Sequence, residues 1–309
     1  MKKVISSQSE DEIQKKAVNV VIPARNEEKH ILPTLKSLDR QTHPPAYVVV
    51  VDDGSNDDTL VLLKNYKPMT FKLEIVERSE RIGGDSLVGK PKIAETFNRG
   101  FEKACKEQYD YILVIGADTQ LEKRYIEKLL KKFAENSKLA IASGHPTYEP
   151  MNPDHARGSG RMFDARFWKW YGEKYPVSYG WESQCQFECL RVGLKVRSFS
   201  DIKSHESRKG EGTVDFYDWG QGMRAMGYNP VIVILRGFRF IISQKFGIRS
   251  AVRLIAGFFS SGSQFNLSHR QKKTRKFLFK YQLVTTPRKM LNALIPVKSK
   301  RNNDPKQQE

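Results

Sequence analysis

Carboxylates recur in this chain directly after short apolar runs: Glu27 and Glu28 follow VNVVIPARN, Asp52 and Asp53 follow YVVVV, and Asp118 follows YILVIGA. Side chains of this type accept hydrogen bonds, hold hard cations or take protons. The runs that precede them are β-branched and read as buried strands. Val18 to Ile22 is stopped by Pro23 and Tyr47 to Val51 by the paired aspartates, while Ile31, Leu35 and Leu38 between them recur at helical spacing. This order predicts a parallel strand pair joined by a crossover helix. In an open parallel sheet the carboxyl ends of the strands form the ligand crevice. Here those ends carry Pro23-Ala24-Arg25-Asn26-Glu27-Glu28 and Asp52-Asp53-Gly54-Ser55, so the predicted crevice is rich in acceptors. The plainer reading of DDGSNDDT is a polar turn, with Asp57, Asp58 or Thr59 capping the next helix.

VIPARNEE followed about thirty residues on by VVVVDDGSNDDT closely resembles the start of a family 2 glycosyltransferase. Those are inverting enzymes of GT-A fold that take sugars from nucleotide-sugars. The resemblance implies that Pro23, Ala24 and Glu27 lie along the nucleoside and that one of Asp52 and Asp53 accepts from the base N–H; which one stays open. It covers about residues 17 to 228. Two matched segments at the right distance outweigh the turn-and-cap reading.

Further on, Ile93, Phe97, Phe101 and Ala104 give a helix holding TFNRG, similar to the family's ALNxG-type sequence. The family's counterpart faces the nucleotide diphosphate, which makes Arg81 and Lys92 candidates to neutralise phosphate. In a chain with 53 Lys and Arg, however, any one basic residue is more often a solvated surface charge. Gly116-Ala117-Asp118-Thr119 is similar to the family's Asp-x-Asp segment, with Gly116 in place of the first acid. Asp118 is then the one aligned carboxylate to hold Mg²⁺ or Mn²⁺, with phosphate oxygens and waters completing the shell. Trp181-Glu182-Ser183 looks like the family's Glu-Asp acceptor motif with serine replacing the second acid. The resemblance makes Glu182 the base for the acceptor hydroxyl, although an acid in a first helical turn is also favoured by the dipole. His205 stands where many relatives place a late metal or diphosphate ligand. The polar ESRKGEGT after it reads as a lid from which Arg208 or Lys209 reaches phosphate.

The expected fold class is therefore α/β: a GT-A-type, mainly parallel sheet flanked by helices, with a helical, basic C-terminal extension. Residues 1–16 read as a flexible polar arm without a secretory h-region, 17–228 as the catalytic domain, and 229–309 as a basic amphipathic region. Gly144 to Gly160 reads as a hinge between nucleotide and acceptor halves, and RMFDARFWKWY as aromatic core. Three cysteines argue against a disulfide framework and for a reducing compartment, with Cys185 and Cys189 as buried small side chains.

VIVILRGFRFII is broken by Arg236 and Arg239 and is too short to span a bilayer. Ser243 to Ser260 reads as an amphipathic helix with Lys245, Arg249 and Arg253 on one face, and twelve Lys and Arg lie between 268 and 309. These features suggest a cytoplasmic protein peripheral at an anionic membrane surface. Partners expected from the resemblance are a UDP- or GDP-linked sugar and a glycan or lipid-linked acceptor. A net charge of +18 also suits nucleic acid. No nucleic-acid module is recognisable, and acids at 52, 53, 118 and 182 would repel a phosphate backbone. A sugar nucleotidyltransferase or an NAD-dependent enzyme would carry a Gly-rich phosphate loop near the first strand, and PARNEEKH has no glycine.

Overall fold

The computed structural model describes residues 10–81, 87, 90–146, 152–208, 215–242, 246–260 and 268–294, with only the backbone of 286–294. Lys209, Lys245, residues 1–9 of the expected arm and the tail from 295 lie outside that set. In chain order the elements are α1 (Glu10–Gln14), β1 (Val18–Ala24), α2 (Ile31–Asp39), β2 (Tyr47–Asp52), α3 (Thr59–Asn65), β3 (Lys72–Glu77), α4 (Ile93–Ala104), β4 (Tyr111–Val114), β5 (Thr119–Leu121), α5 (Tyr125–Glu135) and β6 (Leu139–Pro146). They continue with β7 (Arg161–Asp164), α6 (Ala165–Tyr171), α7 (Trp181–Arg191), β8 (Lys195–Glu206), α8 (Phe216–Met226), α9 (Pro230–Ile242), α10 (Gly247–Phe259) and α11 (His269–Leu294).

One sheet runs β3-β2-β1-β4-β7-β6-β8-β5. Its first half is parallel, as the strand–helix–strand order predicts, with Val20 level with Val48 on one side and Leu113 on the other. β7 then runs antiparallel to both β4 and β6, and β5 antiparallel to β8. Strand β1 runs through Pro23. Pairing with β4 ends at Val21, whose carbonyl accepts from Ile115 N at 3.3 Å. Pro23 sits two residues on and faces the same way, past the end of β4, so its missing N–H costs no ladder bond.

Two apolar layers sandwich the sheet. Ile31, Leu35 and Leu38 of α2 are fully buried in one. Phe97 and Phe101 of α4 join Phe163, Trp168 and Tyr175 in the other, where the aromatic run from Arg161 is mostly core as expected. Trp168 packs 4.5 Å from Phe163 and 4.8 Å from Phe101, ring centre to ring centre.

Among the described residues, those nearest each terminus pack on the rest of the chain. Residues 10–14 form a helix against α5 with Ile13 buried, and Lys16 pairs with Asp110 at 3.1 Å. α11 packs on α7 and α8, and α10 on α8 and α9. Of the stripe expected on α10, Arg253 is paired with Asp215, whose carboxylate also caps α8, at 2.8 Å. No helix among the described residues is long and apolar enough to cross a membrane.

Candidate active site

The loops after β1 and β2 are stitched together side by side. Asn26 takes a left-handed conformation (φ 55°) that lets its N–H reach Ser55 Oγ at 3.0 Å while its Oδ1 accepts from Asn56 N at 3.0 Å. Glu27 N donates to Thr59 Oγ1 at 2.7 Å and Glu28 N to Asp57 Oδ2 at 3.2 Å. The cap residues of the plainer reading thus serve to lock one motif onto the other. Pro23 and Ala24 end β1 beside Val51 and Asp52.

The two aspartates have different surroundings. Asp52 is buried and accepts from the N–H and hydroxyl of Ser55, closing its own turn. Asp53, also buried, faces two guanidinium groups: Arg78 Nη1 at 3.0 Å and Arg81 Nη2 at 3.4 Å, with Thr96 Oγ1 donating to it at 3.1 Å. Arg81, expected at phosphate, is thus turned onto Asp53. Arg78 is buried, and nothing local in the sequence sets it apart from the other basic residues. Lys92 is exposed at the start of α4.

Asp118 leaves the end of β4 beside α2, whose Thr34 hydroxyl donates to the Ala117 carbonyl at 2.7 Å. Its carboxylate accepts from Arg208 Nε at 3.1 Å, and the other arm of that guanidinium reaches Glu27. Arg208 can do this because β8 pairs with β5, and Ser207 N donates to the Asp118 carbonyl at 2.9 Å. Burial pushes the Glu27 carboxyl above its usual range and the Arg208 charge offsets this only in part, with Asp118 and Asp57 adding to the rise. Its second oxygen, Oε2, is buried without a hydrogen-bond partner among the described residues.

Gly116 matters by its lack of a side chain. A Cβ there would lie 2.9 Å from Asp118 Oδ1 and 3.1 Å from Thr119 Oγ1. Ser159 Oγ accepts from Gly116 N at 2.9 Å and shares a 2.7 Å hydrogen bond with Thr119. The segment expected to be a hinge is therefore, at its Gly158–Gly160 end, a packed bridge. Gly158 touches Glu182, and a Cβ on it would meet Oε1 at 2.2 Å.

Glu182 opens α7 from Gly180, which takes φ 71°. Beneath it the fully buried Arg161 donates through Nη1 to the Glu182 carbonyl at 3.3 Å, with Nη2 3.7 Å from Oε1. Burial pulls the Arg161 guanidinium down, but the Glu182 carboxylate together with Tyr175 and Cys185 raises it above its ordinary value. The carboxyl is itself 42 % exposed, open to an incoming group yet held beside a fixed cation. A buried acid four residues past Gln184, Glu188, is bound by Arg191 at 2.7 Å and by Thr274 of α11.

The expected metal pair of Asp118 and His205 does not assemble into a closed site. No group of three or more His, Cys, Asp or Glu among the described residues could hold an ion. His205 is exposed on β8 opposite Gln120, in the strand register where its neighbours Ser204 and Ile202 are the buried ones. Asp118 by itself supplies one carboxylate, so a cation there would need phosphate oxygens and waters to complete its shell.

The sequence profile of glycosyl transferase family 2 matches residues 19–195. The chain belongs to that family. The expected α/β, GT-A-type fold holds as well. The mannosyltransferase PcManGT from Pyrobaculum calidifontis, in complex with GDP-Man and Mn²⁺, shares it at TM-score 0.51 and 16 % identity over 90 % of this chain and 88 % of that one. S. aureus TarS in complex with UDP-GlcNAc does so at TM-score 0.52 and 15 % identity, over 84 % and 78 %. At these identities the likeness is one of fold. Hyaluronan synthase of Streptococcus pyogenes is 35 % identical over 131 residues, 41 % of this chain and 29 % of that protein. The chain spans less than half the length of the curated relatives it matches. In this family 2 chain positions 27, 52, 53, 118 and 182 all lie at or beside strand or helix ends; Arg208 joins 27 to 118, and Gly158 and Ser159 run between Glu182 and Gly116.

Proposed function

We propose that the chain transfers a sugar, with inversion, from a UDP- or GDP-linked donor to a hydroxyl or phosphate group of a glycan or lipid-linked acceptor. The observation that carries this reading is Arg208 spanning Glu27 and Asp118. It puts a mobile type of cationic side chain and two carboxylates at the strand ends where a diphosphate would lie. The nucleoside would rest along Pro23, Ala24 and Glu27, against the wall made by Asp52 and Asp53. Arg81, held on Asp53, shapes that wall, while Arg208 and Lys92 face the phosphates. Asp118 would hold Mg²⁺ or Mn²⁺ together with the diphosphate oxygens, and such an ion supplies positive charge to the departing nucleotide.

Glu182 takes the proton from the acceptor as its oxygen attacks the anomeric carbon from the face opposite the leaving group. Arg161 holds the carboxylate in place for that step. A membrane-linked acceptor is favoured because residues 229–309 are basic and amphipathic, which suits a peripheral position on an anionic surface.

A panel of UDP- and GDP-sugars, with and without Mn²⁺, tests the donor assignment by thermal unfolding, since a ligand that binds the native state raises its stability with affinity. One nucleotide-sugar should raise Tm more with Mn²⁺ than without. No shift from any member would overturn the reading.

A further inference from the structure

Helix α9 is apolar on its outer face as well as its inner one. Val233, Gly237 and Phe240 face inward, in the small apolar cluster with Met223 of α8 and Leu254 and Phe258 of α10. Its outer face carries Val231, Ile234, Leu235, Phe238, Ile241 and Ile242, between 36 and 80 % exposed. Arg239 is the one charged residue among its exposed positions. A helix on a water-facing surface ordinarily keeps its outer side polar. The adjoining α10 continues the pattern with Ile248, Val252 and Phe259 more than half exposed, set among Arg249 and Arg253.

The charge around this face is strongly positive, with Asp215 on Arg253 as its acidic partner. From residue 219 to 303 the chain has seventeen Lys and Arg and no Asp or Glu, so this stretch carries nearly all of the net charge of +18. We infer that the outer face of α9 and α10 docks on an anionic bilayer, its apolar stripe in the acyl boundary and its cations against lipid phosphates. Cations recruit the surface and apolar side chains fix the depth, the two contributions that bind interfacial helices.

Other occupants fit the face less well. A nucleic-acid backbone takes the cations but offers nothing to the aliphatic stripe. A second copy would bring two strongly basic faces together. The chain outside the described residues is mostly polar, as in SGSQFNL and IPVKSKRNNDPKQQE, and is a poor match for six large apolar side chains. The inference rests on the membrane-linked acceptor proposed above, and it moves the contact from the basic stripe of α10 to the apolar face of α9.

The full chain is mixed with vesicles rich in phosphatidylglycerol or made of phosphatidylcholine alone, and sedimented. Wild type should pellet with the anionic vesicles and be released by salt. Phe238→Glu with Ile242→Glu should weaken this by about 100-fold or more, since two large side chains lose their burial. Val61→Glu with Met69→Glu adds the same charge at exposed apolar sites away from this face, and should stay near wild type. Equal thermal unfolding of the two variants shows that both fold. Equal pelleting of the α9 variant and wild type overturns the inference. So does tight binding of a short DNA duplex without binding to vesicles, or a lipid-free dimer that the α9 variant abolishes. Donor-induced stabilisation, read on the same preparations, judges the donor reading separately.

Discussion

Arg208 donates to Asp118 through Nε at 3.1 Å, although the two residues lie 90 positions apart in sequence. With its other arm on Glu27, this side chain gives both carboxylates the positive charge that a bound cation would otherwise supply.

Burial raises the pKa of Glu27, and Arg208 only partly restrains it. The folded state therefore holds the proton at pH values where the unfolded chain has already lost it, and Glu27 costs stability as pH rises through that window. Glu27→Gln removes the titration. Its Tm relative to wild type should rise from acid to neutral pH, and Arg208→Gln in the wild-type background should steepen the loss. A difference in Tm that does not change with pH would contradict the assignment.

Asp53 is bound on both sides by guanidinium groups, and Arg78 is buried with it. Asp53→Ala leaves that cation without its main partner and should cost about 3–5 kcal/mol in denaturant unfolding. Asp52→Asn keeps one oxygen for the Ser55 turn and should cost less. Motif matching alone treats the two aspartates as equivalent, and the structure separates them.

Putting the first motif acid back at Gly116 should weaken donor binding. The new Cβ would sit 2.9 Å from Asp118 Oδ1, and a second negative charge would crowd the first. Mn²⁺-dependent donor affinity, measured by titration of Gly116→Asp, should fall several-fold. An increase would mean that the glycine marks a degraded metal site rather than a repacked one.

The parallel half of the fold was legible because β-branched runs such as YVVVV and the spacing of Ile31, Leu35 and Leu38 are local signals. The ends of β1 and β2 were legible too, since strand ends and their polar residues adjoin in sequence. What stayed hidden depends on pairings between distant segments. Thr119–Leu121 is too short to announce a strand, yet its pairing with β8 is what delivers Arg208 to Glu27. Ser159 and Arg161 lay in a stretch read as hinge and core, and only the antiparallel insertion of β7 brings them under Gly116 and Glu182. The helical C-terminal region was legible in its composition. Which face of it is exposed was not, because that is decided by the packing of α9 against α10 and of Phe240 against Phe216 and Trp219 of α8.

In the proposed reaction Glu182 is the base acting on an acceptor while the nucleotide-sugar is held elsewhere, by Asp118 and the β1 and β2 loops. Glu182→Gln keeps the shape beside Arg161 and removes the basicity. Turnover and donor affinity, measured together on this variant, test the claim most directly. Turnover should fall by about 10² or more with donor affinity near wild type. Turnover near wild type, or a loss of donor affinity as large as the loss of turnover, would contradict it.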